Sequence, residues 1–350
     1  AKSRKIRHYS RSARGLDWSR IYRRLAGDGH GQRSAGLQSA AWLILSSAPT
    51  QLTLSCIGAG RLGKTLCKLM SATALGPALK LQQIINTSLR SAESAVAFIG
   101  SGTPTTGTDN LLPADIWLIA APDHAIAPVA IALTESGVLR PGDIVVHCSG
   151  ALSSEILGVP TEVLRASVHP SHSFANPEAS LLSFACSACA VEGDDVATQR
   201  LMGLFSAIGG RCFTLDRQHK ALYHAATVMA SNNLVSLLAV SQQMLEAASV
   251  SAQESRTILQ PLMQNTFSNY LKSNPVAALT GPISRGDSST VASHLASLEM
   301  HIKRCNWINN KALTSCPPYC PLSPLKISSW TCTAKRIRCT EVCQLLCELN

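Results

Sequence analysis

Leu52-Thr-Leu-Ser-Cys-Ile57, followed at once by Gly58-Ala-Gly60-Arg61-Leu62-Gly63, is the stretch that decides the fold. A short apolar run leads into G-x-G-x-x-G, and Leu62, Leu66, Leu69 and Met70 then recur on one face of a helical pattern. Strand, glycine turn and helix in that order are what a dinucleotide-binding βα unit requires. Gly58 permits the tight turn out of the strand, Gly60 lets the backbone approach a pyrophosphate, and Gly63 lets the helix pack closely on the strand. The helix N-terminus adds free N–H groups and a positive dipole end, both suited to an anion. A glycine turn in another kind of α/β unit would show the same letters, so the flanking elements carry the reading.

The next apolar run, Leu81-Gln-Gln-Ile-Ile85, ends at Asn86-Thr87-Ser88 with Arg90 close behind. An NAD site usually places an acid here for the ribose 2′-hydroxyl, and none occurs before Glu93. Small polar groups with Arg90 suit a 2′-phosphate, so NADP is expected ahead of NAD. Arg90 reads equally well as an exposed residue in the first turn of the following helix.

The middle of the chain goes on alternating strand and helix patterns, as a parallel sheet demands. A helix is expected over Ser91–Ile99, a loop over 103–113, and buried strands at Asp115–Ala120 and Ile144–Cys148. Further strands are expected at Val163–Val168, in the run Phe184–Val191 and at Cys212–Leu215. Ligands of such sheets bind beyond the carboxyl ends of the strands. Ala121-Pro122, Ser149-Gly150 and His169 are therefore placed on the cofactor side. From 217 to 248 a long helical pattern takes over, then Ala252–Leu271, which Pro261 should kink or split, then Ser288–Leu298. The expected architecture is a doubly wound, mainly parallel α/β sheet over 51–215 followed by an all-helical domain over 216–300.

The net charge of +10 belongs to the ends of the chain. Residues 1–50 carry 10 Lys/Arg against 2 Asp/Glu and residues 301–350 carry 7 against 2, so the middle has 14 basic and 17 acidic residues. A body without a basic stripe argues against nucleic acid as partner. The chain opens on Ala1 and is expected to be a fragment or a processed product. Its Arg/Ser-rich first 50 residues read as an organellar or signal-like leader or, preferred, as a disordered or non-native extension. Ala40–Leu45 is too short an apolar run to span a bilayer. Seven of the 13 cysteines follow residue 304 without zinc-like spacing, in an irregular tail over 301–350. Cys186 and Cys189 read as small apolar residues of a buried strand, and the setting as reduced and cytoplasmic. Both ends are expected to be dispensable, and no metal constellation is convincing.

These motifs resemble a group of Rossmann-like oxidoreductases that join an NADP-binding domain to a helical domain of unknown function. The group is related to pyrroline-carboxylate reductase and the β-hydroxyacid dehydrogenases. The resemblance rests on Gly58–Gly63, Ala-Pro-Asp123, His147-Cys-Ser-Gly150, His169-Pro-Ser-His-Ser-Phe174, Lys220-Ala-Leu-Tyr-His224, Ser231-Asn232, Gly281–Asp287 and Thr290–Leu295. Thr87, where the group often has Arg, and the sequence after Glu299 depart from it. The resemblance implies hydride transfer between a nicotinamide and a small carbonyl, imine or hydroxy-acid metabolite, and a homodimer built through the helical domain. Lys220 is implied as proton donor, because the dehydrogenases place a lysine at the start of the long helix. Tyr223 and His224 share its helix face, and Asn232, two turns on, would orient the substrate. His169 is either a second donor or a structural histidine. Arg285 and Asp287 pair with each other, or Arg285 binds a substrate carboxylate. A Rossmann module kept as a nucleotide or redox sensor is the alternative to an enzyme.

Overall fold

A computed structural model describes residues 51–72 and 78–305. Expectations for the leader over 1–50 and the tail over 306–350 fall outside the described residues. The first unit, up to Leu234, is built on an eight-stranded sheet. Its strands are β1 (Leu52–Ile57), β2 (Leu79–Asn86), β3 (Thr103–Thr106), β4 (Ile116–Ile119), β5 (Ile144–His147), β6 (Leu164–Pro170), β7 (Ala188–Gly193) and β8 (Arg211–Thr214). They lie in the order β3-β2-β1-β4-β5-β6-β7-β8. Every neighbouring pair is parallel except β6 and β7. The chain thus runs outward from β1 to β3, returns, and runs outward again from β4, which leaves a switch point between β1 and β4.

Alternation along the strands explains the two cores. Ile116 and Leu118 of β4 face one layer, with α1 (Arg61–Ala72), α2 (Leu89–Ile99) and α5 (Asp195–Ala207) packed against it through Leu66, Met70, Ile99, Leu201 and Phe205. Trp117 and Ile119 face the other, covered by Ile126, Ala130 and Leu133 of α3 (Asp123–Glu135). Strands buried on both faces read as continuous apolar runs, which is why Ile-Trp-Leu-Ile and Ile-Val-Val were legible.

Several expectations are corrected. The loop expected over 103–113 contains β3, an edge strand whose Thr-Pro-Thr-Thr lacks an apolar signal. The run Phe184–Val191 is not one strand: Cys186 is exposed with φ 68° in the turn between α4 (Pro177–Ser183) and β7, and of the two cysteines Cys189 alone is a buried strand residue. The pattern over 217–248 divides into a 3₁₀ turn (Arg217–His219), α6 (Lys220–Val228), a π turn (Met229–Asn233) and α7 (Leu234–Ala247). The helix over Pro261 is not split, and α8 runs from Ala252 to Lys272 behind a Ser251/Glu254 capping box. After the short α9 (Pro275–Ala278) comes α10, which extends from Ser288 to Cys305, past the expected end at Leu298.

The second unit begins at Val235, so α6 belongs with the sheet although its sequence pattern is that of the helical region. Among the described residues of the second unit only Ser255 is buried. Leu237, Ile258, Leu262, Phe267 and Leu271 are exposed. No described helix is long and apolar enough to cross a membrane.

Candidate active site

The glycine turn leaves β1 at the switch point, and its geometry fits a dinucleotide. Gly58 has φ +90°, and a Cβ there would stand 3.0 Å from the Ala120 carbonyl at the end of β4. A Cβ on Gly63 would stand 2.9 Å from the Gly58 oxygen, so the helix packs against the turn as the third glycine of the motif requires. Above Gly60 nothing lies within 4 Å. The Arg61, Leu62 and Gly63 amides open α1 with no preceding turn to bond to. Asn86 is tied into the turn itself: its Oδ1 accepts from the Ala59 N–H (2.7 Å) and its Nδ2 donates to Ser91 Oγ (3.0 Å). The side chain braces the glycine turn. Ser88 caps α2, and Arg90 is exposed in the first turn of that helix. Arg61 donates to the Ala175 carbonyl at 3.4 Å. Ala121 and Pro122 connect β4 to α3, with Pro122 at the N-cap.

At the carboxyl ends of β5 and β6 a second cluster forms. Ser149 turns the chain back, its N–H donating to His147 Nδ1 (3.1 Å) and its Oγ accepting from Leu152 N (3.0 Å). Since His147 Nδ1 accepts, its proton belongs on Nε2, which faces the Ser153 carbonyl at 3.1 Å. The next residue is Gly150, bare backbone between two imidazoles: a methyl there would stand 2.8 Å from Nε2 of both His169 and His224. The two rings meet edge to face with centroids 5.4 Å apart. His169 Nδ1 lies 3.2 Å from the Tyr223 hydroxyl, which also bonds to Ser171 Oγ. Phe213 packs on the Tyr223 ring from β8.

Lys220 sits one layer deeper, only 1% exposed. Its ammonium donates to Ser167 Oγ and to Glu192 Oε1 (3.0 Å). Glu192, 6% exposed, also accepts from Ser154 N and Ser154 Oγ, both at 2.8 Å. Burial pulls the Lys220 ammonium below the usual lysine range, with Glu192 opposing. Burial also pushes His147 and His169 down to about 4, helped at His147 by the Lys220 charge and at His169 by His224 and Lys220. Both rings are therefore neutral near pH 7. The same burial lifts the Cys148 thiol to about 12, which keeps it protonated.

The structure thus brings Gly150, His169, Tyr223 and His224 together, with Lys220 beneath them. Asn232 is exposed in the π turn and accepts from Ser231 Oγ (2.9 Å), roughly 12 Å along the helix from His224. Asp287 does not pair with Arg285. Its carboxylate caps α10, accepting from Thr290 N (3.1 Å), Thr290 Oγ1 (2.7 Å) and Ser289 Oγ (2.9 Å). Glu192 was missed by the sequence reading, yet a lone acid in the run Ala188-Cys-Ala-Val-Glu-Gly is a signal, because a buried carboxylate needs a cation. Among the described residues no group of His, Cys, Asp and Glu could hold a metal ion.

Residues 44–170 match the family model of a Rossmann-like domain, and residues 187–307 match that of a domain of unknown function, DUF2520. A solved protein from Thermotoga maritima is 28% identical, with 71% of this chain and 90% of that one covered and a TM-score of 0.56. A candidate NADP oxidoreductase from Bacteroides fragilis is 20% identical over 71% and 91% of the two chains, with a TM-score of 0.58. An NADH-preferring ketol-acid reductoisomerase from an uncultured archaeon is 12% identical over 75% and 83%, with a TM-score of 0.54. The last two are likenesses of fold. No curated protein matches the chain.

Proposed function

For a chain that joins a Rossmann-like domain to a DUF2520 domain, we propose an NADP-dependent oxidoreductase acting on a small carbonyl, imine or hydroxy-acid metabolite. The observation that carries this reading is the pair of imidazoles flanking Gly150 at the carboxyl edge of the sheet whose first turn is the glycine loop. When bound, the nicotinamide supplies or accepts the hydride. The chain does the rest. The α1 amides and the open face of Gly60 hold the pyrophosphate, and Ser88 with Arg90 meets the ribose phosphate. Gly150, lacking a side chain, lets the His169 and His224 rings close over the strand end, and His169 holds a proton at Nε2 for the atom that gains negative charge. Lys220 contributes a fixed positive charge beneath the histidines, and Asn232 touches the distal part of the substrate.

NADPH is expected to bind tighter than NADH by about tenfold or more, the worth of one charge-assisted contact to the 2′-phosphate. Fluorescence titration of both cofactors checks this, with Arg90→Ala expected to erase most of the difference. Equal or reversed affinities would overturn the NADP assignment. Cofactor oxidation against a panel of carbonyl and imine compounds tests the reaction itself, and tight binding without any turnover would favour the sensor.

The proposed partner is a second copy of the chain. Helices normally bury their apolar residues on one face, yet Leu237 of α7 and Ile258, Leu262, Phe267 and Leu271 of α8 lie exposed, and the related helical domains commonly build dimers. Sedimentation at micromolar concentration should give a dimer that Leu262→Glu with Phe267→Glu converts to monomer. A wild-type monomer would end this part of the proposal.

A further inference from the structure

The hydroxyls behind His169 have no part in the reading above. His169 presents Nε2 to Gly150 and Nδ1 to Tyr223, and Tyr223 in turn bonds to Ser171 on the outgoing end of β6. Ser171 is only partly buried and is anchored through its N–H to the Ala188 carbonyl at 2.7 Å. His224 also reaches Gly150, but among the described residues no hydroxyl is bonded to its ring. We propose that Ser171 and Tyr223 form a proton relay that resupplies His169, running from the rim of the sheet to His169 Nε2 beside Gly150. The proposal rests on the reductase reading.

A hydroxyl both donates and accepts, so the relay has two states. In one, Ser171 donates to Tyr223, Tyr223 donates to Nδ1, and the His169 proton sits on Nε2 facing the substrate. In the other, Nδ1–H donates to Tyr223, Tyr223 donates to Ser171, and Nε2 presents a lone pair. Reduction converts the first into the second. With a reduced nicotinamide bound to supply hydride to the substrate carbon, the Nε2 proton would pass to the substrate oxygen or nitrogen. In the same step the ring takes the Tyr223 proton at Nδ1, Tyr223 takes one from Ser171, and Ser171 takes one from water, which leaves as hydroxide. The imidazole stays neutral throughout, in keeping with the partial burial and the neighbouring His224 and Lys220 that hold its pKa low. To reset, the neutral ring's proton returns from Nδ1 to Nε2 by exchange with water in the emptied site. Ser171 and Tyr223 are positioning residues, since both act through His169 and neither touches the substrate.

Nitrogen-15 NMR of the His169 ring near neutral pH tests the relay without any cofactor. In the wild-type protein both tautomers should be populated, with Nδ1 and Nε2 resonances between the protonated and unprotonated limits. Tyr223→Phe keeps the ring packing on Phe213 and should collapse the mixture to one tautomer, and Ser171→Ala should shift the populations in part. With an accepted substrate, the solvent proton inventory should curve in the wild type and become linear in Tyr223→Phe. Turnover there should fall by roughly 10²-fold, the lower end of what a positioned acid contributes. Unchanged His169 resonances in both variants overturn the relay whether or not turnover is seen. Changed resonances with no substrate reduced overturn the reductase reading instead.

Discussion

Lys220→Ala is expected to cost the sheet-bearing unit about 3–5 kcal/mol of stability, because it leaves the Glu192 carboxylate buried without its cation. Glu192 would keep only the two Ser154 bonds in a place where it is 6% exposed. For a unit of this size the loss corresponds to a fall of roughly 10 °C in the midpoint of thermal unfolding. Lys220→Met combined with Glu192→Gln should recover most of it, since the glutamine carbonyl still accepts from Ser154 and no charge remains buried. A further signature follows from the charge removed. Lys220 helps to hold His147 and His169 near 4, so both should titrate at higher pH in the variant. The sign matters for stability. An unfolded histidine, with a pKa near 6.5, binds protons that these folded rings refuse, so stability falls as pH drops from about 6.5 to about 4. Raising the folded values narrows that window. Calorimetry with histidine NMR measures both effects, and a folded variant of unchanged midpoint would show that the pair contributes little.

His169→Ala should lower turnover by roughly 10²–10⁴-fold, the range of a positioned acid or base, while NADPH affinity stays nearly constant. The glycine turn and α1 are untouched by the change, which is why binding and chemistry should separate. His224→Ala is the matched comparison. Its ring flanks Gly150, but among the described residues no hydroxyl relay stands behind it, so a smaller loss is expected. Near-normal turnover in His169→Ala with abolition in His224→Ala would exchange their roles. If both retain activity while a folded Lys220→Ala loses it, the proton comes from Lys220, as the resemblance to the dehydrogenases implies.

Much of this protein was legible because its signals are local. Gly58, Gly60 and Gly63 stand in fixed steps between an apolar run and a helical one, and Ile144–His147 announces a strand buried on both faces by composition alone. Edge strand β3 was missed because an exposed edge needs no apolar pattern, and β7 was misplaced because Cys186 and Cys189 look alike as letters. Only the fold turns one into an exposed turn residue with positive φ and the other into core.

The sequence by itself determined the doubly wound sheet and placed Gly150 and His169 at strand ends, while Lys220 and His224 were singled out through the family resemblance. It could do so because periodicity and turn chemistry are properties of neighbouring residues. The tertiary structure alone decided how those residues combine. Glu192 and Lys220 are 28 residues apart in the chain, and His169 and Tyr223 are 54 apart. No spacing rule links such pairs. They meet because β7 runs antiparallel beside β6 and α6 returns to the same end of the sheet. That return gives Lys220, which the resemblance implies as proton donor, a buried carboxylate partner that the sequence reading overlooked.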